Sequence, residues 1–231
     1  MTSGLRVVPV EDLPEVRPGD VLADLLAAAC SIETGDVVVV TQKVVSKAEG
    51  RLVAVADEAA HRALVEAESV RVLRRRGRLV VSETTHGFVC ASAGVDVSNV
   101  EHGWAALLPV DPDRSARRIR AGLRARTGVD VAVIVSDTFG RPWRRGVTDV
   151  AIGCAGIAAV VDLRGTVDAL GRELEVTEVC VVDELAAAAE LVMGKSASIA
   201  AAIIRGVDPA WLRPSSVKAE VVRHPSEDLF R

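Results

Sequence analysis

Tyrosine is absent from the 231 residues, and all aromatics together reach only 3%. That argues against a surface that stacks bases on successive rings, and it leaves the core to aliphatic side chains. Cysteine is sparse and scattered. Cys30, Cys90, Cys154 and Cys180 form no CxxC pair, which argues against a zinc site or a disulfide framework and for reduced, buried thiols. No apolar run approaches the roughly 18 residues of a membrane-crossing helix. The opening MTSGLRVVPVEDLPEV lacks the charged and apolar segments of a secretory leader, so a cytoplasmic location is expected. Neither sign of charge dominates: the net charge is −4, and nothing global favours nucleic acid or an anionic membrane as partner. His61, His86, His102 and His224 show no HxH or HExxH spacing, GxSxG is missing, and no GxGxxG follows the first strand-like run.

What is present is a chain 49% hydrophobic, long for one domain and short for two. One domain with two lobes is the natural expectation. LRVVPV and GDVVVV read as strands, the second with four β-branched residues in a row, as suits a strand buried on both faces. VLADLLAAAC has helical spacing. DEAAHRALVEAESVRVLRRRG reads as one helix with acids first and Arg74, Arg75 and Arg76 at its end, matching the helix dipole. RLVVSET reads as a strand, DPDRSARRIRAGLRARTG as a helix with a solvated basic face, and VDVAVIVSD as a strand. VCVVDELAAAAELVMGK leads into a helix, and SIAAAIIRGV is a late strand. RPSSVKAEVVRHPSEDLFR loses periodicity and reads as a mobile tail or an arm on a partner. Strands alternate with helices without a regular βαβ period, so the expected fold is mixed α/β (α+β) and neither Rossmann nor P-loop. Residues 1–212 are expected to form the working domain and 213–231 a tail or linker.

Chemistry concentrates in a few stretches. VIVSDTFGRPWRRG carries Ser136, Asp137 and Thr138 where a buried run meets polar side chains. Such residues commonly only cap a turn. Here hard oxygen ligands adjoin Gly140, Pro142 and the cations Arg141, Arg144 and Arg145, a combination suited to a divalent ion and a polyphosphate. GFVCASAGVDVSN holds Asp96, Ser98 and Asn99, by itself an Asx-rich turn but a two-carboxylate metal site if it meets Asp137. TQKVVSKAEG holds Lys43, Ser46 and Lys47 behind the valine run, where they are either surface residues or phosphate contacts. Gly194, Lys195 and Ser196 look like the end of a P-loop but follow a helix, and Ala189 stands where that motif needs Gly. Gly194 is better read as a helix cap.

Together these stretches resemble the coenzyme F420-0:L-glutamate ligase, or F420 γ-glutamyl ligase, family. The resemblance runs in order through most of residues 5–206 and is most specific from VSDTFGRPWRRGVTD to LVMGK. It implies a family-specific two-lobed α/β fold and a homodimer. It also implies a GTP-hydrolysing ligase that joins L-glutamate to F420-0 and extends it by γ-linked glutamates through an acyl phosphate. Mg2+ or Mn2+ is implied, and often K+. On this resemblance Asp96 and Asp137 bind the divalent ion and serve catalysis, and Thr138 belongs to a second metal. Leu13, Pro14, Glu15, Val16, Gln42, Lys47, Asn99, Met193, Gly194, Lys195 and Ser196 lie at the nucleotide. Arg144 is carried as the candidate phosphoryl-contacting cation, with nothing in the sequence to separate it from Arg141 and Arg145. Two departures stand out: Ser92 replaces a frequent Asn, and Lys195 replaces a Gln or Glu linked to the second metal. Some relatives carry a flavin-binding domain after this one, so the chain is expected either to act alone or to have had such a domain as neighbour. The alternatives are a nucleotide- and metal-binding protein without ligase activity, or a ligase for another acceptor.

Overall fold

The computed structural model describes residues 4–228. The remaining residues at either end, including part of the leader reading and the last part of the expected tail, lie outside the described residues. The first half runs β1 (Arg6–Pro9), α1 (Leu22–Ala29), β2 (Val37–Thr41), α2 (Gln42–Ala48), β3 (Leu52–Ala54), α3 (Glu58–Ala67), β4 (Ser69–Arg76), β5 (Leu79–Thr84), β6 (Val89–Ala91) and β7 (Trp104–Ala106). The second half runs α4 (Pro112–Thr127), β8 (Ala132–Gly140), β9 (Val147–Ala155), β10 (Val161–Asp162), β11 (Glu178–Val179), α5 (Val181–Met193), β12 (Ala201–Arg205) and α6 (Val217–Glu220). This is a mixed α/β fold. Among the described residues no helix is long and apolar enough to cross a membrane.

The central sheet has the order β1-β12-β2-β8-β9, and its β2–β8 pair is parallel while the others are antiparallel. Val37, Val38, Val39 and Val40 are all fully buried. Alternation explains why: Val38 and Val40 face one core with Leu26, Ile119 and Leu123, and Val37 and Val39 face another with Leu185, Ala186 and Met193. Each buried valine contributes about 2 kcal/mol of burial, so a sheet covered on both faces has its register firmly set.

Local signals place α4. Asp111 caps it by accepting from Arg114 N at 2.8 Å, Pro112 opens it, and Gly128 ends it in the left-handed region at φ 71°. Its first turn lies so close to β9 that a Cβ on Gly153 would meet the Pro112 carbonyl carbon at 2.3 Å.

Three expectations change. The helix expected through Arg76 ends at Ala67, and Ser69–Arg76 is strand β4, paired with β5. Val70 and Val72 break the helical pattern there, and Arg71 and Arg75 reach Glu83 and Glu66 across the surface. The strand expected to end at Asp137 continues to Gly140, because β9 supplies its hydrogen-bond partners through Thr138↔Asp149 and Gly140↔Val147. The Gly-Pro loop is therefore the tip of a hairpin. The aperiodic C-terminal stretch packs against the body: Val217 is fully buried, and Val221 and Val222 join the second core. The four cysteines are free, and each is buried or half-buried.

Candidate functional site

Where β2 and β8 run side by side, their C-terminal ends open into a cleft of about 1250 Å³. That exceeds the roughly 300–1,000 Å³ of a pocket for one small ligand. Helix α2 starts directly from β2 and presents Lys43 and Lys47 one turn apart into the cleft. Lys47 pairs with Glu15 of the Leu13–Val16 segment at 2.5 Å. Gln42 is 1% exposed, and its amide nitrogen finds no partner within the protein. A buried donor left in this way on a cleft wall is free to bond whatever enters the cleft.

Asp96 is held by its backbone. Its N–H donates to Ala106 O at 3.0 Å, and its carbonyl accepts from Ala106 N at 2.8 Å. Its carboxylate accepts from Ser98 N at 2.7 Å and pairs with Lys43 Nζ at 2.8 Å. Burial alone would push its pKa up, but Lys43 and Ser98 overcome that and hold it below the ordinary value. Asn99 follows in the left-handed region at φ 52°, which Asn tolerates better than most residues.

Asp137 behaves differently. Desolvation pushes its pKa up to about 7; the Thr138 N–H opposes this, the charges of Asp96 and Asp149 reinforce it, and Lys195 opposes it. The two carboxylates foreseen as partners, 41 positions apart by their numbers, thus share one cleft and feel each other's charge. A register shift between Val135 and Ser136 lies just before Asp137, an irregularity of the ladder that re-aims side chains at the strand end.

A second cluster adjoins the first. Asp149, 1% exposed, accepts from Ser136 Oγ at 2.9 Å and from Thr138 Oγ1 at 2.5 Å. Lys195 donates to Thr138 Oγ1 and lies 3.5 Å from Asp149 and 3.7 Å from Glu190. Burial and Asp149 raise the Glu190 pKa, against Lys195.

Leu13, Pro14, Glu15, Val16, Gln42, Lys47, Asp96, Asn99, Asp137, Thr138, Gly194 and Lys195 all line the cleft. Met193 is fully buried in the second core instead. Ser196 is exposed just beyond the lining, and Arg144 sits with Arg141 and Arg145 at the exposed hairpin tip. Gly194 does close α5, its N–H bonded to Glu190 O, and no P-loop geometry is present there. His86 lies away from the cleft, with Nε2 2.9 Å from Pro109 O and its ring stacked on Phe88.

Sequence reasoning assigned no role to Asp149 and Glu190. Recognising GRPWRRG as a hairpin tip would have paired Asp149 with Thr138. Glu190 is the one charge in the last turns of an alanine-rich helix, one turn before the Gly194 cap.

Among the described residues no group of three or more His, Cys, Asp or Glu stands ready as a metal cage. A divalent ion carried by phosphates needs no cage, only one or two carboxylates and water. Asp137 meets that requirement. It is a desolvated acid beside two others, while Lys43 is engaged by Asp96 and Lys195 by Asp149 and Glu190.

Fold and cleft define a mixed α/β protein with one large cleft, in which carboxylates and lysines confront each other at a strand end. The chain belongs to the F420-0:gamma-glutamyl ligase family, whose model matches residues 11–206. It is 44% identical to the coenzyme F420:L-glutamate ligase of Methanopyrus kandleri over 98% of each chain. It is 42% identical to that of Methanothermobacter thermautotrophicus over 99% of each, and 41% identical to that of Archaeoglobus fulgidus over 98% of this chain and 96% of the relative.

Proposed function

We propose that this protein is a GTP-dependent ligase that joins L-glutamate to F420-0 and extends the product by γ-linked glutamates. The carrying observation is the desolvated Asp137 sharing with Asp96 a cleft lined with lysines, in a chain alike from end to end to proteins named coenzyme F420:L-glutamate ligases. Amide formation from a free carboxylate needs a better leaving group than hydroxide. Transfer of the GTP γ-phosphoryl to the acceptor carboxylate provides it as an acyl phosphate, which the glutamate amine then attacks. Such transfer depends chiefly on positioning and charge stabilisation.

Asp96 and Asp137 would hold Mg2+ or Mn2+, which supplies Lewis-acid stabilisation of phosphate charge. Lys47 and the Leu13–Val16 segment line the wall assigned to the nucleotide, with Gln42 offering its unpartnered amide and Asn99 a further polar group. Lys43 fixes the Asp96 carboxylate. Arg144, with Arg141 and Arg145, acts from the hairpin tip by drawing acidic substrates toward the cleft rather than by touching the transferring group. In the same reading the protein works in the cytoplasm as a homodimer of the two-lobed family fold.

The test is to incubate the protein with GTP, Mn2+, L-glutamate and F420-0 and weigh the products. A mass gain of one or more glutamyl units, with GDP and phosphate formed only when both co-substrates are present, is expected. Full-rate phosphate release from GTP alone, without a mass gain, overturns the reading.

A further inference from the structure

The oxygen cluster beside the Asp96–Asp137 pair already contains a cation of the protein's own. Thr138 from β8, Asp149 from β9 and Glu190 from α5 converge on the ammonium of Lys195. Asp149 is 1% exposed, and two neutral hydroxyl donors do not cancel a buried charge. Lys195 itself is 58% exposed, so only its ammonium enters the cluster. It arrives there because α5 ends at Gly194, whose φ of 61° turns the chain back toward β8. No lysine is similarly committed to Asp137.

A second added cation at Thr138 does not fit these residues, because the Thr138 hydroxyl oxygen already accepts from an ammonium. We propose that Lys195 is a tethered monovalent counter-ion: its ammonium takes the place of a free K+-sized ion between Thr138, Asp149 and Glu190. The chain then needs an added divalent ion only on the Asp137 side. An ammonium group and K+ share charge, approximate size and a preference for several oxygen neighbours, so one can replace the other without rebuilding the cage. Lys195 is thereby a positioning residue that fixes Thr138 and Asp149 at the end of β8. Its activity arm rests on the ligase reading above; its binding arm does not.

The experiment compares wild type with Lys195→Ala and Lys195→Gln in K+-free tetramethylammonium buffer containing Mg2+ and GDP, using Tl+ as the K+ probe in 205Tl NMR. Wild type is expected to show no saturable Tl+ site, and each variant one site from which K+ displaces Tl+. In glutamylation assays without K+, the variants should lose turnover by about a hundredfold, the scale of one electrostatic stabiliser. Added K+ should restore most of that loss, while wild type ignores K+. A saturable Tl+ site in wild type, or variants whose loss K+ does not repair, overturns the proposal. Near-UV circular dichroism accompanies each measurement, and loss of the fold in both variants overturns it too by making Lys195 structural. A wild type that never glutamylates F420-0 refutes the ligase reading alone, and the Tl+ titration then decides this one.

Discussion

At one end of the β8–β9 hairpin, Asp113 is 5% exposed and accepts from Cys154 N, Val217 N and Lys218 N at 2.8, 2.9 and 3.1 Å. Nearby Glu220 accepts from Ala159 N and Val160 N at 3.2 and 3.1 Å and from both Arg213 terminal nitrogens at 2.6 and 3.0 Å. Burial would push the Glu220 pKa up, but these donors, chiefly Arg213, hold it at about 2. At the other end, Asp137 is also desolvated, yet it has one backbone donor and two acids for neighbours and stands at about 7. Acids given donors by the fold tie segments together. The acid deprived of them lines the cleft and is the candidate site residue.

The contrast breaks most sharply under substitution. Asp137→Asn should cut turnover about 10²–10³-fold, equivalent to about 3–4 kcal/mol of transition-state stabilisation. The near-UV spectrum and melting temperature should be undiminished, and near-normal GTP-dependent glutamylation by this variant would refute the role. Asp113→Ala should do the reverse. It strands two buried N–H groups and a part-buried one and should lower unfolding free energy by about 3 kcal/mol in urea titrations, with unchanged turnover per folded molecule. Retained stability there would erase the distinction between the two ends.

Acidity sharpens the same comparison, with opposite signs. The folded Asp137 carboxyl keeps its proton up to about 7, while the unfolded one loses it near 3.8. In metal-free protein its contribution to stability should therefore fall as pH rises through that window and level off above it. Asp137→Asn should abolish that slope in urea titrations at stepped pH. Glu220 titrates near 4.5 unfolded and about 2 folded. Its stabilisation is complete above 4.5 and is lost as pH falls toward 2, and Glu220→Gln should flatten that acid limb. The smallest effect is expected from Arg144→Ala. It should raise KM for the acidic substrates no more than about fivefold, the scale of one exposed charge. The kcat should not change, and the effect should fade in high salt. A large fall in kcat would instead bring that arginine to the reacting groups.

Much of the fold was readable because its signals are local. The valine run at 37–40 is a doubly buried strand, and the Asp111, Pro112 and Gly128 signals bound α4 as capping chemistry requires. Asp96 and Asp137 stood out in the sequence as candidate oxygen ligands, and Lys47 and Leu13–Val16 through family resemblance, and the structure brings all of them to one cleft. What failed depended on partners distant in the chain. Val70–Arg76 carries enough good helix formers to read as the end of α3, until β5 supplies a ladder for it. Glu190 and Asp149 look like ordinary polar residues until α5 and β9 carry them to Thr138 and Lys195. The C-terminal stretch has no period to betray that Val217 fills a core.

Composition, alternation and caps determined the elements, the two-faced central sheet and the residue types able to handle a cation and phosphates, because each is a property of neighbours within a few positions. Only the tertiary structure decided which acid is given partners, by backbone amides, an arginine or Lys195, and which is buried with few of them. The state of a buried carboxylate is set by the donors and charges within a few ångströms of it, and here those come from strands and helices far apart in the chain.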